Sequence, residues 1–345
     1  MRVIRRIVLV ALSVAALAAC MRDVTQHPAS LPGTYAIATR SYSWTDPSRW
    51  TPANGSAPAH HSRVLPVDIV YPDDPHGRQR FPVVVFVHGV MSDRRQSPYL
   101  LDTLASHGFI AVAADFPLTA NSTPGGATDA HAQDEARDIA FLVDRLGAKQ
   151  SAGEPWASTV DPSRYVVVGH STGGAVAIVA AFAPDYHDPR VAGVISLSGD
   201  ACFFSHRFLT TRRVPAIFVG ATNDRFVPVA NHAQWAYDAS ASPHALVIIH
   251  GGDHVYFTKY CIPDWLIKMF VHVDEVNLIK TMARYEPGTD CTVPAPHDEH
   301  GLSCPAQHAI TDQVVLAFAD RVLRGDDRGV ANLATQPALT VREQR

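Results

Sequence analysis

The chain carries seven short apolar runs that are rich in β-branched residues, with amphipathic segments between them. Several runs show no alternation of apolar and polar positions, which is typical of strands buried on both faces of a parallel sheet. The predicted strands cover residues 64–71, 82–87, 109–113, 165–168, 192–197, 215–219 and 245–249. Because strands and helices alternate without a long polar linker, the pattern predicts a single α/β domain with a mostly parallel central sheet flanked by helices.

Turn and capping residues set the expected limits of the helices. One helix is predicted to begin at Pro98, behind a serine cap, and to end before Gly108. Residues 175–183 are apolar all round, so this segment is predicted to be a helix that is covered on every side. The last helix is expected to have Thr311 as its N-cap and to end at Gly325.

Residues 1–19 are predicted to be an export signal that is not part of the fold. Arginines at the start precede an apolar run that is shorter than the about 20 residues of a membrane-spanning helix. The run ends in Leu17-Ala18-Ala19-Cys20, which looks like the lipobox of a bacterial lipoprotein signal. We expect Cys20 to become the lipid anchor on a bacterial membrane, facing the periplasm or the exterior. The alternative is an ordinary secretory signal and a secreted protein.

The remaining chain divides into regions of different composition. Residues 20–61 are rich in Pro, Ser, Thr and Gly and predict a tether and an irregular N-terminal arm. Residues 62–327 are expected to form the α/β domain. Within that domain, the span from about 256 to 309 is longer than an ordinary connection, carries three cysteines and predicts a C-terminal insertion. Residues 328–345 are expected to be a C-terminal tail.

The overall composition limits the kind of protein further. Hydrophobic residues make up 47% of the chain and charged residues 18%, which excludes a disordered or fibrous protein. The formal net charge is −4, so the basic surplus of a nucleic-acid-binding protein is missing. No phosphate-binding loop or dinucleotide motif follows the first strand, and we expect no cofactor. The membrane is expected to be a partner only through the lipid anchor, and the pattern leaves the oligomeric state open.

Four cysteines remain once Cys20 is assigned to the anchor, and in an exported protein an even number favours disulfides. They allow three pairings. Cys291 and Cys304 are close in sequence and flanked by Pro, Gly and Asp, so we expect a Cys291–Cys304 loop and a longer Cys202–Cys261 bridge. The alternative is four buried or free thiols.

The strongest chemical signal is the motif Gly169-His170-Ser171-Thr172-Gly173, which lies directly between a predicted buried strand and a predicted helix. A serine in this position lies on a strained turn that exposes its Oγ, while the flanking glycines let strand and helix approach closely. We therefore expect Ser171 to be a nucleophile. His170 is interpreted as a packing residue beside it.

A serine nucleophile needs a base to take its proton and a carboxylate to orient that base. Asp224 and His254 follow predicted strands, in the order acid and then histidine that α/β-hydrolases use. Both lie where an open α/β sheet collects its reactive groups. Asp200, which follows another predicted strand, is the alternative acid. Backbone amides of Val90 and Thr172 are the expected oxyanion donors.

Together these motifs resemble the α/β-hydrolase superfamily, and within it the secreted lipase, cutinase-like and dienelactone-hydrolase-related serine esterases. The resemblance covers about residues 64–255 and the last helix, and residues 105–109 are similar to a stretch in chlorophyllases. The segments that carry it are Phe86-Val87-His88-Gly89, Ala105-Ser106-His107-Gly108-Phe109, residues 169–174, Asn223-Asp224 and Gly251-Gly252-Asp253-His254. The resemblance implies that Ser171, Asp224 and His254 form a catalytic triad in an α/β-hydrolase fold.

The sequence also departs from its relatives. Dienelactone hydrolases use a cysteine where this chain has Ser171. Polyester-degrading cutinase-like enzymes usually carry an aromatic residue at the position of Val90, a methionine at that of Thr172 and a tryptophan in the loop of residues 198–204. This loop instead carries Phe203 and Phe204, which we expect to line an acyl pocket.

The predicted activity is that of a serine carboxylesterase or lipase acting on small-molecule or lipid esters through an acyl-serine intermediate. An amidase or acyltransferase would use the same triad, and a hydrolase fold also occurs in binding proteins without turnover. We expect no metal. A weaker candidate metal cluster surrounds Cys304 and consists of His297, Asp298, Glu299, His300 and His308.

Overall fold

The computed structural model describes residues 33–74, 79–241, 243–263, 266, 288–291 and 300–344. The predicted signal segment, Cys20, much of the expected insertion and residues 297–299 of the metal candidate lie outside the described residues. In the described part, no helix is both long and apolar enough to cross a membrane.

A nine-stranded sheet forms the centre of the molecule. All seven predicted strands are present, with their ends moved by a few residues. The strands are β1 Ile37–Asp46, β2 Arg63–Pro72, β3 Phe81–Val87, β4 Ile110–Ala114, β5 Val160–His170, β6 Val191–Leu197, β7 Ala216–Ala221, β8 His244–Ile249 and β9 Leu339–Gln344. Their spatial order is β1-β2-β4-β3-β5-β6-β7-β8-β9. The six strands from β4 to β8 in this order are parallel, and the pairs β1–β2, β2–β4 and β8–β9 are antiparallel.

Helices cover both faces of the sheet, and each face has its own apolar core. The helices are α1 Pro98–Ser106, α2 Glu135–Gly147, α3 Thr172–Phe182, α4 His206–Leu209, α5 Ala233–Ala239, α6 Cys304–Arg324 and α7 Arg328–Leu333. Helices α2 and α3 belong to one core, and α1 and α6 belong to the other. Every residue of α3 is buried, as its uniformly apolar sequence predicts.

The two edges of the sheet differ from the sequence prediction. Strand β1 forms inside the region that we expected to be an irregular arm, because it pairs with β2 along its whole length. The expected C-terminal tail is instead α7 and β9, and β9 pairs with β8. Edge strands bury fewer side chains than central strands, so their apolar signal in the sequence is weak.

Helix α6 begins earlier than predicted. Its N-cap is Ser303, whose Oγ accepts a hydrogen bond from the amide of Ala306. Thr311 lies inside the helix, where its hydroxyl donates to the carbonyl of Gln307 at 2.8 Å. The predicted end is correct, since Gly325 takes the left-handed conformation at the C-terminus with φ of 72°.

Both disulfides differ from the predicted pairs. The structure bonds Cys202 to Cys291 and Cys261 to Cys304, with Cα–Cα distances of 5.5 and 5.4 Å. Nearness in sequence is a poor guide here because residues 288–291 lie against the loop after β6. There the amide of Gly288 donates to the carbonyl of Cys202 at 2.9 Å. The prediction of disulfide-bonded rather than free cysteines is correct.

Candidate active site

Ser171 occupies the sharp turn between β5 and α3. Its backbone has φ of 55° and ψ of −126°, a conformation that non-glycine residues rarely adopt. Close backbone approach around the turn requires glycine at both flanking positions. A Cβ at Gly169 would overlap the carbonyl oxygen of Gly173, and a Cβ at Gly173 would overlap the carbonyl oxygen of Val87. The turn therefore holds the serine side chain away from the helix and the sheet.

His254 and Asp224 form a buried hydrogen-bonded pair. The Nδ1–H of His254 donates to Oδ2 of Asp224 at 2.8 Å, and the Asp224 side chain has no exposure to solvent. The other carboxylate oxygen accepts hydrogen bonds from the amides of Phe226 and Val227 at 2.9 and 2.7 Å. These contacts place the ring proton of His254 on Nδ1 and the lone pair on Nε2.

Ser171 and His254 line one cavity of about 280 Å³ at the carboxyl ends of the parallel strands. Val90 and Thr172, whose amides are the expected oxyanion donors, line the same cavity. Thr172 is the first residue of α3, so its amide has no partner within the helix. The cavity is lined by Gly89, Val90, Met91, Ser92, Gln96, Asp129, His170, Ser171, Thr172, Asp200, Phe203, Phe226, Val227, His232, His254, Val255, Thr258, Tyr260 and Cys291.

The peptide bond between Gly89 and Val90 is fixed by a hydrogen bond to its carbonyl oxygen. Nε2 of His88 accepts a hydrogen bond from the amide of Phe116 at 3.3 Å, so the proton of its ring lies on Nδ1. Nδ1–H then donates to the carbonyl of Gly89 at 2.8 Å. Burial lowers the pKa of His88 and keeps the ring neutral. Because a trans peptide directs its N–H opposite to its C=O, the Val90 amide points away from His88.

The remaining expectations at the cavity have different outcomes. Asp200 lines the cavity, but the carboxylate bonded to His254 is Asp224. Phe203 lines the cavity as expected. The expectation for Phe204 is wrong, because its ring stacks on Phe208 at 4.9 Å in the core.

Two buried side chains at the cavity were not recognised as important from the sequence. His170, interpreted as a packing residue, uses both ring nitrogens in hydrogen bonds, one to Gln96 and one to the backbone of His254. Gln96 also binds the amide of Gly89. No local pattern marks Gln96, since its partners lie far away along the chain.

Of the weaker metal candidate around Cys304, His300 and His308 are described. The structure places the nitrogen of His308 near Cys304 and also near Cys261, which the candidate did not include, with the sulfur and nitrogen atoms within 4.8 Å of one another. The two sulfurs are joined in a disulfide, and Nε2 of His308 lies 2.9 Å from the carbonyl of Thr258. This cluster therefore offers no thiolate for a metal in the oxidised protein.

The fold and the cavity define an α/β-hydrolase. A family model described as PET hydrolase-like matches residues 66–274. The match covers more than half of the chain, and the chain belongs to this family.

Comparison with characterised proteins agrees with this assignment. The chain is 25% identical over 238 residues to Cutinase 1 of Thermobifida cellulosilytica, covering 67% of this chain and 82% of the relative. It is 26% identical over 237 residues to the bis(hydroxyethyl) terephthalate hydrolase of Streptomyces coelicolor, covering 65% and 66%. Chlorophyllase-1 of Citrus sinensis is 30% identical over 122 residues, covering 35% and 34%.

A solved structure matches nearly the whole chain. The ferulic acid esterase of Streptomyces cinnamoneus has a TM-score of 0.61 and 22% identity, with 92% of this chain and 98% of that chain covered. At this identity the likeness shows the fold. With the family match, the chain is a carboxylic ester hydrolase, as the sequence predicts.

Proposed function

We propose that the protein hydrolyses carboxylic esters through an acyl-serine intermediate. Ser171 is the nucleophile, His254 the general base and acid, and Asp224 the carboxylate that orients His254. The amides of Val90 and Thr172 form the oxyanion hole. The observation that carries this proposal is the 2.8 Å bond from His254 to fully buried Asp224, with His254 in the same cavity as Ser171.

The first half of the reaction forms the acyl-enzyme. Nε2 of His254 takes the proton of Ser171 as Oγ bonds to the ester carbonyl carbon. The carbonyl oxygen becomes an oxyanion and accepts hydrogen bonds from the Val90 and Thr172 amides. When the intermediate collapses, the bond to the alcohol oxygen breaks and His254 gives its proton to the leaving alcohol.

The second half releases the acid. His254 takes a proton from water as the water oxygen attacks the acyl carbon, and the same amides stabilise the second oxyanion. The bond to Oγ then breaks and His254 returns the proton to Ser171. Asp224 stabilises the imidazolium in both halves without taking the proton itself.

The cavity favours small-molecule or lipid esters. Its volume of about 280 Å³ lies near the lower end for ligand sites, and Val90, Met91 and Phe203 contribute apolar lining. Relatives named for cutin and for a terephthalate ester support an ester with an apolar acyl group.

We also propose that the protein is exported and lipid-anchored at Cys20. Two disulfides support export, because disulfides persist in oxidising compartments.

The proposal predicts a large loss of activity when the nucleophile or the orienting acid is changed. Ser171→Ala should lower kcat for a short p-nitrophenyl ester by more than about 10³-fold, because no other group replaces Oγ. Asp224→Asn should lower kcat by about 10³- to 10⁴-fold, because His254 loses its fixed tautomer.

Asp200→Asn is the matched control for the acid, since it makes the same change at another carboxylate of the cavity. It should retain kcat within about tenfold of the parent enzyme. Full activity of Ser171→Ala, or no labelling of Ser171 by a fluorophosphonate, would exclude the proposed mechanism. A larger loss from Asp200→Asn than from Asp224→Asn would exclude Asp224 as the acid.

A further inference from the structure

Gln96, two residues before α1, joins two parts of the candidate site that are far apart in sequence. Its Oε1 accepts a hydrogen bond from the amide of Gly89 at 2.8 Å. Its Nε2 lies 2.6 Å from Nδ1 of His170, and Nε2 of His170 lies 3.0 Å from the carbonyl oxygen of His254. A single chain of hydrogen bonds thus runs from residue 89 to residue 254.

The direction of every hydrogen bond in this chain is fixed. The amide of Gly89 can only donate, so Oε1 of Gln96 faces it and the NH₂ group faces His170. Nδ1 of His170 must therefore accept, and the ring proton lies on Nε2. That proton is donated to the carbonyl oxygen of His254, which can only accept. Burial holds the pKa of His170 well below its usual range, in agreement with a neutral ring.

The chain of hydrogen bonds is shielded from water, and Gln96 and Ser97 are anchored to residues 257–259. Gln96 is 2% exposed and His170 is 3% exposed. The carbonyl of Gln96 accepts a hydrogen bond from the amide of Lys259 at 2.8 Å. The hydroxyl of Ser97 donates to the carbonyl of Phe257 at 2.7 Å. Within a low-dielectric interior, successive hydrogen bonds of this kind strengthen one another.

Each end of the chain of hydrogen bonds contacts a backbone group next to a proposed reactive group. At one end the amide of Gly89 belongs to the turn that presents the Val90 amide. At the other end the carbonyl belongs to His254 itself, and the rings of His170 and His254 lie 4.6 Å apart. His170 is also the residue before Ser171, so the chain passes through the nucleophile turn.

We propose that Gln96 and His170 are positioning residues. They hold the turn of Gly89 and Val90 and the backbone of His254 at a fixed separation around Ser171. This inference rests on the proposed function. A misplacement of about 1 Å in a catalytic group can lower a rate by about 10²-fold, so the chain should affect turnover more than substrate binding. A buried glutamine that only fills space would affect folding and leave turnover per folded molecule unchanged.

The test is steady-state hydrolysis of a p-nitrophenyl ester, with active sites counted by fluorophosphonate titration. Gln96→Leu removes both side-chain hydrogen bonds and should lower kcat per titrated site by about 10- to 100-fold, with KM within about threefold. Gln96→Met, which keeps the side-chain length, should behave alike and replaces Gln96→Leu if that variant does not fold. Gln133→Leu is the matched control, because Gln133 is buried and does not line the cavity; its kcat should stay within about twofold.

A second comparison tests whether the two residues act as one chain. His170→Asn keeps an acceptor toward Gln96, but its shorter side chain does not reach the carbonyl of His254 that Nε2 of His170 contacts. Combined with Gln96→Leu it should cost little more than the worse single variant, since either change already breaks the chain. A kcat per site within twofold of the parent for Gln96→Leu, or losses that multiply in the double variant, would overturn the inference. A parent enzyme that fails to label or turn over would instead overturn the proposed function.

Discussion

A buried carboxyl group on α6 shows how much one residue contributes to the pH dependence of the free energy of unfolding. Asp312 accepts a hydrogen bond from the hydroxyl of Thr103 on α1 at 2.9 Å, and its other oxygen has no hydrogen-bond partner among the described residues. Burial raises the pKa of Asp312 to about 8. The folded protein therefore keeps this group protonated at a pH where the unfolded chain has released the proton.

This shift predicts that Asp312 lowers stability as the pH rises. Between the ordinary pKa of 3.8 and about 8 the folded state binds more protons than the unfolded state, so the free energy of unfolding falls. Asp312→Asn removes the titration and should be more stable than the parent by about 2–5 kcal/mol at pH 8, with little difference at pH 4. Urea unfolding at both pH values measures this.

Asp320→Asn on the same helix is the control. Asp320 pairs with Arg324 near the surface, so its loss should change stability by at most about 0.5 kcal/mol. Equal stability of Asp312→Asn and the parent at pH 8 would show that Asp312 is ionised in the folded protein.

Some residues of the candidate site can be recognised from the sequence, and others cannot. Ser171, Asp224 and His254 each follow a strand and lie in short glycine-containing or acidic motifs, so local pattern is enough to make them candidates. It does not separate Asp224 from Asp200, which also follows a strand. Gln96 and His170 have no such signal, because their role depends on hydrogen bonds to residues brought near only by the fold. Phe204 failed as a prediction because adjacent residues on the same loop face different surroundings.

At the level of elements, the central strands and the C-terminal end of α6 were predictable because their causes are local, whereas the N-terminal end of α6 was not. A run of β-branched residues identifies a strand buried on both faces, and Gly325 identifies the end of α6. Strands β1 and β9 were missed because each depends on pairing with a distant partner. The disulfide pairs were missed for the same reason.

Substitution of Gly325 tests the backbone conformation at the end of α6 separately from side-chain contacts. A Cβ at Gly325 would meet no atom within 4 Å, so only the positive φ of 72° opposes substitution. Gly325→Ala should therefore lower stability by about 1 kcal/mol, because L-residues are strained in the left-handed region. Thermal unfolding of the purified variant gives the value.

Gly153→Ala serves for comparison, because a Cβ there also meets open space and its φ lies outside the positive range. It should leave stability unchanged or raise it by up to about 1 kcal/mol. Equal effects of the two substitutions would contradict the strain explanation.

For the whole molecule, buried neutral histidines predict sensitivity to acid. Burial lowers the pKa values of His88 and His170, and it lowers that of His232 to about 4. Below pH 6.5, the ordinary pKa of histidine, the unfolded chain binds protons that these buried rings do not bind. The free energy of unfolding therefore falls as the pH falls. For His232 alone the loss approaches about 3 kcal/mol below pH 4.

His232→Asn isolates this contribution, since an amide oxygen can still accept the hydrogen bond from the Ala201 amide. The variant should lose less stability than the parent between pH 7 and pH 4.5 in urea unfolding. His206→Asn is the control, because the His206 side chain is exposed to water in the folded protein. If both variants follow the parent curve, His232 does not contribute to acid sensitivity.

The placement of β9 makes one edge of the sheet depend on residues that are synthesised late. Strand β8 leads directly to the loop of His254, and in the described part of the chain its outer edge pairs with β9. Until that pairing forms, β8 presents a row of unsatisfied N–H and C=O groups that can template association with another chain. A nascent chain that emerges N-terminus first therefore needs protection from aggregation until residues 339–344 have joined the sheet, and a chain truncated before them exposes this edge permanently.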